Sequence, residues 1–240
     1  MKNQSVKIIG WAIVAIPILA YFYFLFIYSV NAPQGDDYAV FFKYLRKDWP
    51  DRLELLFSQH NEHRLVFSRT IAEVVYRING VIDFNYLNYI GNTAFLWLLF
   101  LFYIIFQKSK LTFLLFIPVP FLLFNFWNWE NMTFATGSVQ NFFIWFFVSL
   151  SLYLYSRSGT LSFVLALMFA AVSTVTSGSG ILVFPIMILW SVVDLFFKRS
   201  NPAHRNPVSF ADNRPSVTKL IVVAITFALV AIGYFFTYQT

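Results

Sequence analysis

Long apolar runs without charge constrain this chain more than any other feature. Residues 8–30 contain no Asp, Glu, Lys or Arg, and a helix of that length crosses the roughly 30 Å hydrocarbon core of a bilayer. With 59% hydrophobic and 12% charged residues, too little polar surface remains for a soluble domain. The sequence therefore predicts an all-α integral membrane protein with seven spans, at 8–30, 84–106, 111–126, 141–155, 161–175, 180–197 and 220–238.

We expect residues 1–240 to form a single transmembrane domain. An outer loop, 31–83, follows the first span, five further spans lie within 84–197, and a cytoplasmic loop, 198–219, precedes the seventh. The chain has no cysteine, which excludes disulfides, thiolate metal sites and cysteine nucleophiles.

The loop charges predict the orientation, because cytoplasmic loops of membrane proteins are enriched in Lys and Arg. The segments 127–140 and 176–179 hold neither residue. The alternate segments hold Lys2, Lys7, Lys108, Lys110, Arg157, Lys198, Arg199, Arg205, Arg214 and Lys219. This alternation places the N-terminus in the cytoplasm and the loop 31–83 outside, and it explains the net charge of +6 without a nucleic-acid partner.

The outer loop has the apolar periodicity of amphipathic helices lying on a membrane surface. A first helix carries Tyr38, Phe41, Phe42, Leu45 and Trp49 on one face. A second is expected to begin near Pro50, and a third runs from about His63 to Asn79.

Two neighbouring carboxylates, Asp36 and Asp37, follow the first span directly. One aspartate is enough to cap a helix through its free N–H groups. A second carboxylate at the membrane boundary is then available to accept a proton or bind a cation. We therefore regard the pair as the candidate catalytic residues.

A dense polar cluster lies about two dozen residues later, and it admits three interpretations. It can be a solvated turn between helices, or a metal site if the two histidines share one helical face at i and i+3. It can also recognise an anion through an arginine, with Arg69 as a second cation. We favour anion recognition, with no cofactor assigned and a divalent metal as the lesser alternative. The cluster consists of Gln59, His60, Asn61, Glu62, His63 and Arg64.

The segment 124–142 is rich in tryptophan and side-chain amides. Tryptophan is common at membrane interfaces, but rings and amides together also suit a carbohydrate, and the sequence leaves both readings open. Its candidate ligand groups include Glu130 and Gln140.

These residues carry a resemblance to a known family. A first helix followed by Gly35-Asp36-Asp37-Tyr38, amphipathic loop helices and the His60–Arg64 segment together resemble the GT-C superfamily of membrane glycosyltransferases. The Trp-Asn-Trp-Glu segment (127–130) and the Ser-Gly-Ser-Gly run that begins at Ser177 are similar to segments of bacterial members that modify surface polysaccharide.

The resemblance implies transfer of a sugar from a polyprenyl-phosphate donor to a glycan or lipid acceptor at the outer face of the bacterial inner membrane. Asp36 or Asp37 is then expected to act on the acceptor hydroxyl, and Arg64 with its neighbours on the phosphate leaving group. Because such enzymes usually have more helices, these residues are expected to be the front part of a longer protein. The alternatives are a transporter or flippase for a lipid-linked sugar, or a non-catalytic assembly subunit.

Overall fold

The computed structural model describes residues 2–200, 217–236 and 238, and over these ranges the chain is helical with no extended strand. Most of the predicted cytoplasmic loop, residues 201–216, lies outside the described residues, as does Thr240.

Five helices are long and apolar enough to cross a membrane. Four of these candidate spans lie in α1 (Lys2–Tyr28), α5 (Phe84–Lys108), α8 (Ala135–Tyr155) and α11 (Val217–Phe235). The fifth, Gly178–Phe196, comprises a 3-10 turn, Gly178–Leu182, and most of α10 (Val183–Ser200). The other two predicted spans, 111–126 and 161–175, correspond to shorter apolar helices, Phe113–Leu123 and α9 (Thr160–Thr176). The structure therefore supports five of the seven predicted spans by length and composition, and the other two stay predictions.

Three helical segments lie within the loop 31–83. A π-helical turn, Tyr38–Phe42, continues into α2 (Lys43–Leu45), and α3 (Asp51–Phe57) and α4 (Val66–Asn79) follow. The third segment begins at Val66 and not at His63, because the residues before it form a tight hydrogen-bonded turn. That these helices lie on a membrane surface stays a prediction.

The chain packs as two compact units. Unit 1 consists of Met1–Lys47 and Ser68–Phe146, and unit 2 of Asp48–Phe67 and Phe147–Thr240. The core of unit 2 includes Ala166, Ala170, Val183, Phe184, Met187 and Val223. The expectation of a single transmembrane domain stays a prediction.

One passage of unit 1 is interrupted. A 3-10 turn, Phe113–Phe116, leads into α6 (Pro118–Leu123), and α7 (Trp129–Thr133) follows after a break at 124–128. Asn125 shapes this break, because its amide donates to the Leu122 carbonyl at 2.6 Å and its oxygen accepts from the Trp127 N–H at 2.9 Å. Such side-chain bonds compete with helix continuation and favour a turn.

Candidate functional site

The two aspartates after α1 occupy different environments. Asp37 is only 1% exposed, and its carboxylate accepts three hydrogen bonds. The Gln34 N–H donates at 3.0 Å, the Thr136 N–H at 2.9 Å and the Thr136 hydroxyl at 2.6 Å. Because Thr136 lies in the first turn of α8, Asp37 ties the turn after α1 to the beginning of that helix.

Burial raises the pKa of Asp37 above its ordinary value, while the bonds from Thr136 and Gln34 oppose the shift and the neighbouring Asp36 adds to it. A carboxylate so enclosed has no surface that a substrate can reach. Asp36 is exposed at the same turn. Asp37 therefore holds the turn in place, and of the two predicted catalytic aspartates only Asp36 is accessible to a substrate, while its catalytic role stays a prediction.

Two asparagines of α5 hold the end of α7. The Asn88 amide donates to the Thr133 carbonyl at 3.0 Å, and the Asn92 amide donates to the Met132 carbonyl at 2.8 Å. Asn92 also accepts a short hydrogen bond from the Tyr21 hydroxyl of α1. These bonds satisfy carbonyls that an interrupted helix leaves without an intrahelical donor, and they fix α7 against α1 and α5.

The exposed side of the interrupted passage carries aromatic and polar groups. Trp127 is 90% exposed and Trp129 is 53% exposed, and Asn128 and Glu130 are exposed beside them. The other amides that the sequence suggested as sugar ligands point elsewhere, since Asn141 donates to Asn131 at 3.0 Å. Asn125 shapes the turn, and Gln140 is buried in α8.

The His60–Arg64 segment of unit 2 is a tight turn. His60 and His63 are opposite each other and exchange main-chain hydrogen bonds of 2.7 and 2.9 Å, with Asn61 at a positive φ of 49°. The two histidines therefore do not share a helical face, which corrects the geometry assumed for a metal site. His63 Nδ1 accepts from the Gly178 N–H at 3.2 Å, and Glu62 is exposed.

Arg64 contacts main-chain carbonyls. Its Nε donates to the Tyr234 carbonyl at 2.6 Å, one terminal nitrogen donates to Phe57 at 2.6 Å, and the other makes a short bond to Phe236. The side chain therefore caps the end of α11, where free carbonyls favour a cation. A phosphate would have to compete with these three carbonyls, so the expected phosphate contact stays a prediction.

Arg69 lies in α4 within unit 1 and is 3% exposed. Burial lowers its pKa to about 10, and the neighbouring Tyr44 opposes the shift. The guanidinium therefore stays charged at neutral pH. Its role in anion recognition stays a prediction.

Within the part of the chain that the structure describes, no three His, Cys, Asp or Glu side chains come close enough together to hold a metal ion. The sequence analysis missed Thr136, Asn88 and Asn92. The two asparagines had a visible pattern, since they stand four positions apart in an apolar helix where an unpartnered amide is costly.

Comparison with protein-family models, curated proteins and solved structures gives no match to this chain.

Proposed function

We propose that the chain is a membrane glycosyltransferase that moves a sugar from a polyprenyl-phosphate donor to a surface glycan or lipid acceptor. The observation that supports this most directly is the division of roles at the acidic turn. Asp37 is buried and bonded to α8, whereas Asp36 is exposed one residue away on the turn that Asp37 fixes. A carboxylate held at a rigid, exposed position is suited to act as a general base.

In this reaction the Asp36 carboxylate accepts the proton of an acceptor hydroxyl. The hydroxyl oxygen forms a bond to the anomeric carbon of the donor sugar. The bond from that carbon to the phosphate oxygen breaks, and the phosphate leaves with the electron pair. Phosphate binding by His60, His63 and Arg64 remains a sequence prediction, and the carbonyl bonds of Arg64 argue that its main contribution is to the fold.

The proposed setting follows from the loop charges. The positive-inside pattern supports an outer position for Asp36 and a cytoplasmic N-terminus, and the bacterial inner membrane is what the family resemblance implies. A donor anchored in the bilayer by its prenyl chain presents its phosphate and sugar at that boundary.

A second candidate function is transport of a lipid-linked sugar without its cleavage. The interrupted passage 113–133 favours it, because broken helices are common at the substrate sites of transporters. The glycosyltransferase breaks the bond between the sugar and the phosphate and needs a carboxylate as its base, whereas the transporter breaks no bond.

The test is transfer of a labelled sugar from a polyprenyl-phosphate donor in membrane vesicles. We expect Asp36→Asn to lower the rate by about 10²–10⁴-fold, the usual contribution of a general base, at an unchanged protein level and unfolding midpoint. Asp51→Asn, which alters another exposed carboxylate, is the matched control and should retain the wild-type rate. A wild-type rate for Asp36→Asn would refute the catalytic assignment, and unchanged lipid-sugar translocation without any transfer would favour the transporter.

A further inference from the structure

The break in the passage 113–133 lies beside the last two turns of α1 and not beyond the end of that helix. Tyr21 and Phe24 precede the last residue of α1, Tyr28, by seven and four positions, so they lie about 10 and 6 Å along the axis from it at 1.5 Å per residue. The ring centroid of Phe126 is 6.3 Å from that of Tyr21 and 4.9 Å from that of Phe24.

The contacts with α5 indicate the same position of the interrupted passage along the helix axes. Asn88 bonds to Ser29, which directly follows α1, and Asn92 lies one helical turn further along α5. The Asn92 amide binds the Met132 carbonyl of α7. If α1 and α5 cross a bilayer, the segment 124–132 therefore lies at the depth of one leaflet's headgroups and upper acyl chains.

Main chain outside a helix is tolerated at such depth where protein buries it or where it faces water or a polar ligand. Here protein supplies only part of this cover. The Asn125 side chain bonds to the Leu122 carbonyl and the Trp127 N–H, and the Trp129 N–H bonds to the Phe126 carbonyl, but the residues Asn125, Phe126, Trp127 and Asn128 are all exposed. Glu130, one turn away, is exposed as well, and its carboxylate needs water or a polar partner at this depth. The exposed side of the break therefore requires a polar environment and not lipid tails.

The side chains at the break select the chemistry of the ligand. Glu130 is the only Asp, Glu, Lys or Arg between Lys110 and Arg157, so this segment contains no cation to bind a phosphate. A carboxylate and an amide accept hydrogen bonds from hydroxyl groups. The exposed indole of Trp127 offers a flat apolar surface, which suits the C–H face of a pyranose ring.

We propose that the break at 124–128, together with Trp129 and Glu130 at the beginning of α7, is a binding site for the glycosyl headgroup of a membrane lipid that approaches sideways from the bilayer. Glu130 and Asn128 bind sugar hydroxyls, and Trp127 packs against the ring. The inference rests on the proposed function in that a lipid-linked donor is one such ligand, but binding itself requires no transfer. A neutral glycosyl diacylglycerol carries the same headgroup chemistry and is the second source.

The absence of cysteine from the chain makes the test direct, because one introduced thiol is the only one present. Trp129→Cys places a reporter at the break and leaves Glu130, Asn128 and Trp127 intact. Leu122→Cys is the matched control, since Leu122 is 74% exposed on the apolar helix α6. A membrane-impermeant maleimide is applied to the protein in phosphatidylcholine vesicles, and it reacts with the thiolate, which forms in water and not in lipid.

We expect the thiol at position 129 to react much faster than the thiol at position 122. Glucosyl diacylglycerol and polyprenyl-phosphate glucose should each slow the reaction at 129 about tenfold at ten times the dissociation constant, because about a tenth of the sites are then free. Adding Trp127→Ala or Glu130→Gln to the reporter should remove most of this protection. Asp51→Asn, which alters an exposed carboxylate elsewhere, should leave this protection unchanged.

Three results would overturn the inference. No reaction at 129 places the break in lipid tails, and reaction without protection by either lipid means that the break holds water alone. Protection by the phosphate-linked lipid only means that phosphate is recognised and not sugar. If protection is found and no sugar transfer is ever observed, the proposed function fails and the binding site stands.

Discussion

Replacing Arg64 by methionine separates a structural role of this residue from a role in phosphate binding. Methionine retains an unbranched apolar stem of similar shape and removes the guanidinium. The loss includes charge-assisted bonds to the carbonyls of Phe57, Tyr234 and Phe236, and the cation–π contact with the Tyr234 ring, whose centroid is 6.0 Å from Cζ.

The size of the effect follows from these contacts. Each hydrogen bond to a charged group contributes about 1.5–3 kcal/mol, but bonds made by one side chain are not additive. Removing one partner of a buried charged interaction typically costs about 3–5 kcal/mol. Because Arg64 is 9% exposed, we expect a loss of about 3 kcal/mol in the free energy of unfolding, which is about a hundredfold in the unfolding equilibrium.

The measurement is unfolding of the detergent-solubilised protein by increasing sodium dodecyl sulfate, followed by tryptophan fluorescence. Arg77→Met is the matched control, because Arg77 is 63% exposed in its side chain and makes a 2.7 Å ion pair with Glu73 on the same helix. That change should cost about 0.5 kcal/mol or less. If Arg64→Met is as mild as the control while affinity for a polyprenyl-phosphate lipid falls, Arg64 binds phosphate and the structural reasoning is refuted.

Two further predictions concern unit 1. Gly91→Ala should lower the free energy of unfolding by about 1–3 kcal/mol, because the added Cβ would lie 2.6 Å from the main-chain carbon of Ser138. Gly233→Ala is the control. The added Cβ there meets nothing within 4 Å, so this change should be neutral or stabilising by up to about 1 kcal/mol. Equal effects of the two alanines in the same unfolding assay would contradict the close packing of α5 on α8. Burial raises the pKa of Asp37, so the folded state holds the proton of this carboxyl group to higher pH than the unfolded state does. The stability that results is complete below the unfolded pKa of about 4. It is lost as the pH rises through the pKa of the folded state. Unfolding measured from pH 4 to 7 should show this loss of stability in the wild type and a smaller loss in Asp37→Asn. If the wild type instead gains stability over this interval relative to the variant, the three hydrogen bonds to Asp37 outweigh its burial.

Hydropathy predicted the elements of this fold that depend on local sequence. The first span and those at 84–106 and 220–238 correspond to helices whose bounds differ from the prediction by a few residues, because length and apolarity alone specify a membrane helix. The span predicted at 141–155 begins earlier, at Ala135. Its first turn carries polar residues that hydropathy assigns to a loop, and Thr136 among them is bonded to Asp37, which is 99 positions away.

The partners of the charged residues could not be predicted from the sequence either, because they too lie far away along the chain. Asp36 and Asp37 are equivalent in sequence, and only the contact with α8 distinguishes them. Arg64 follows two histidines and a glutamate in what looks like a ligand cluster, yet its donors bind carbonyls 170 and 172 positions away. A charged residue in a short motif is therefore equally compatible with a substrate and with the end of a distant helix until its long-range contacts are known.

The interrupted passage extends this argument from single residues to a segment. The sequence 111–126 predicts a span, and Trp127 to Glu130 then reads as an outer loop. In the structure the helix ends at Leu123, and Asn88 and Asn92, in the second and third turns of α5, bind carbonyls at the end of α7. Those two amides satisfy carbonyls of α7, and Asn125 satisfies the Leu122 carbonyl and the Trp127 N–H. The residues Asn125–Asn128 are nevertheless exposed, so their environment supplies the remaining polar contacts. A lipid tail cannot do so, whereas water or a sugar headgroup can. Glu130 is consistent with this reasoning, since an exposed carboxylate at that depth has the same requirement as the main chain beside it.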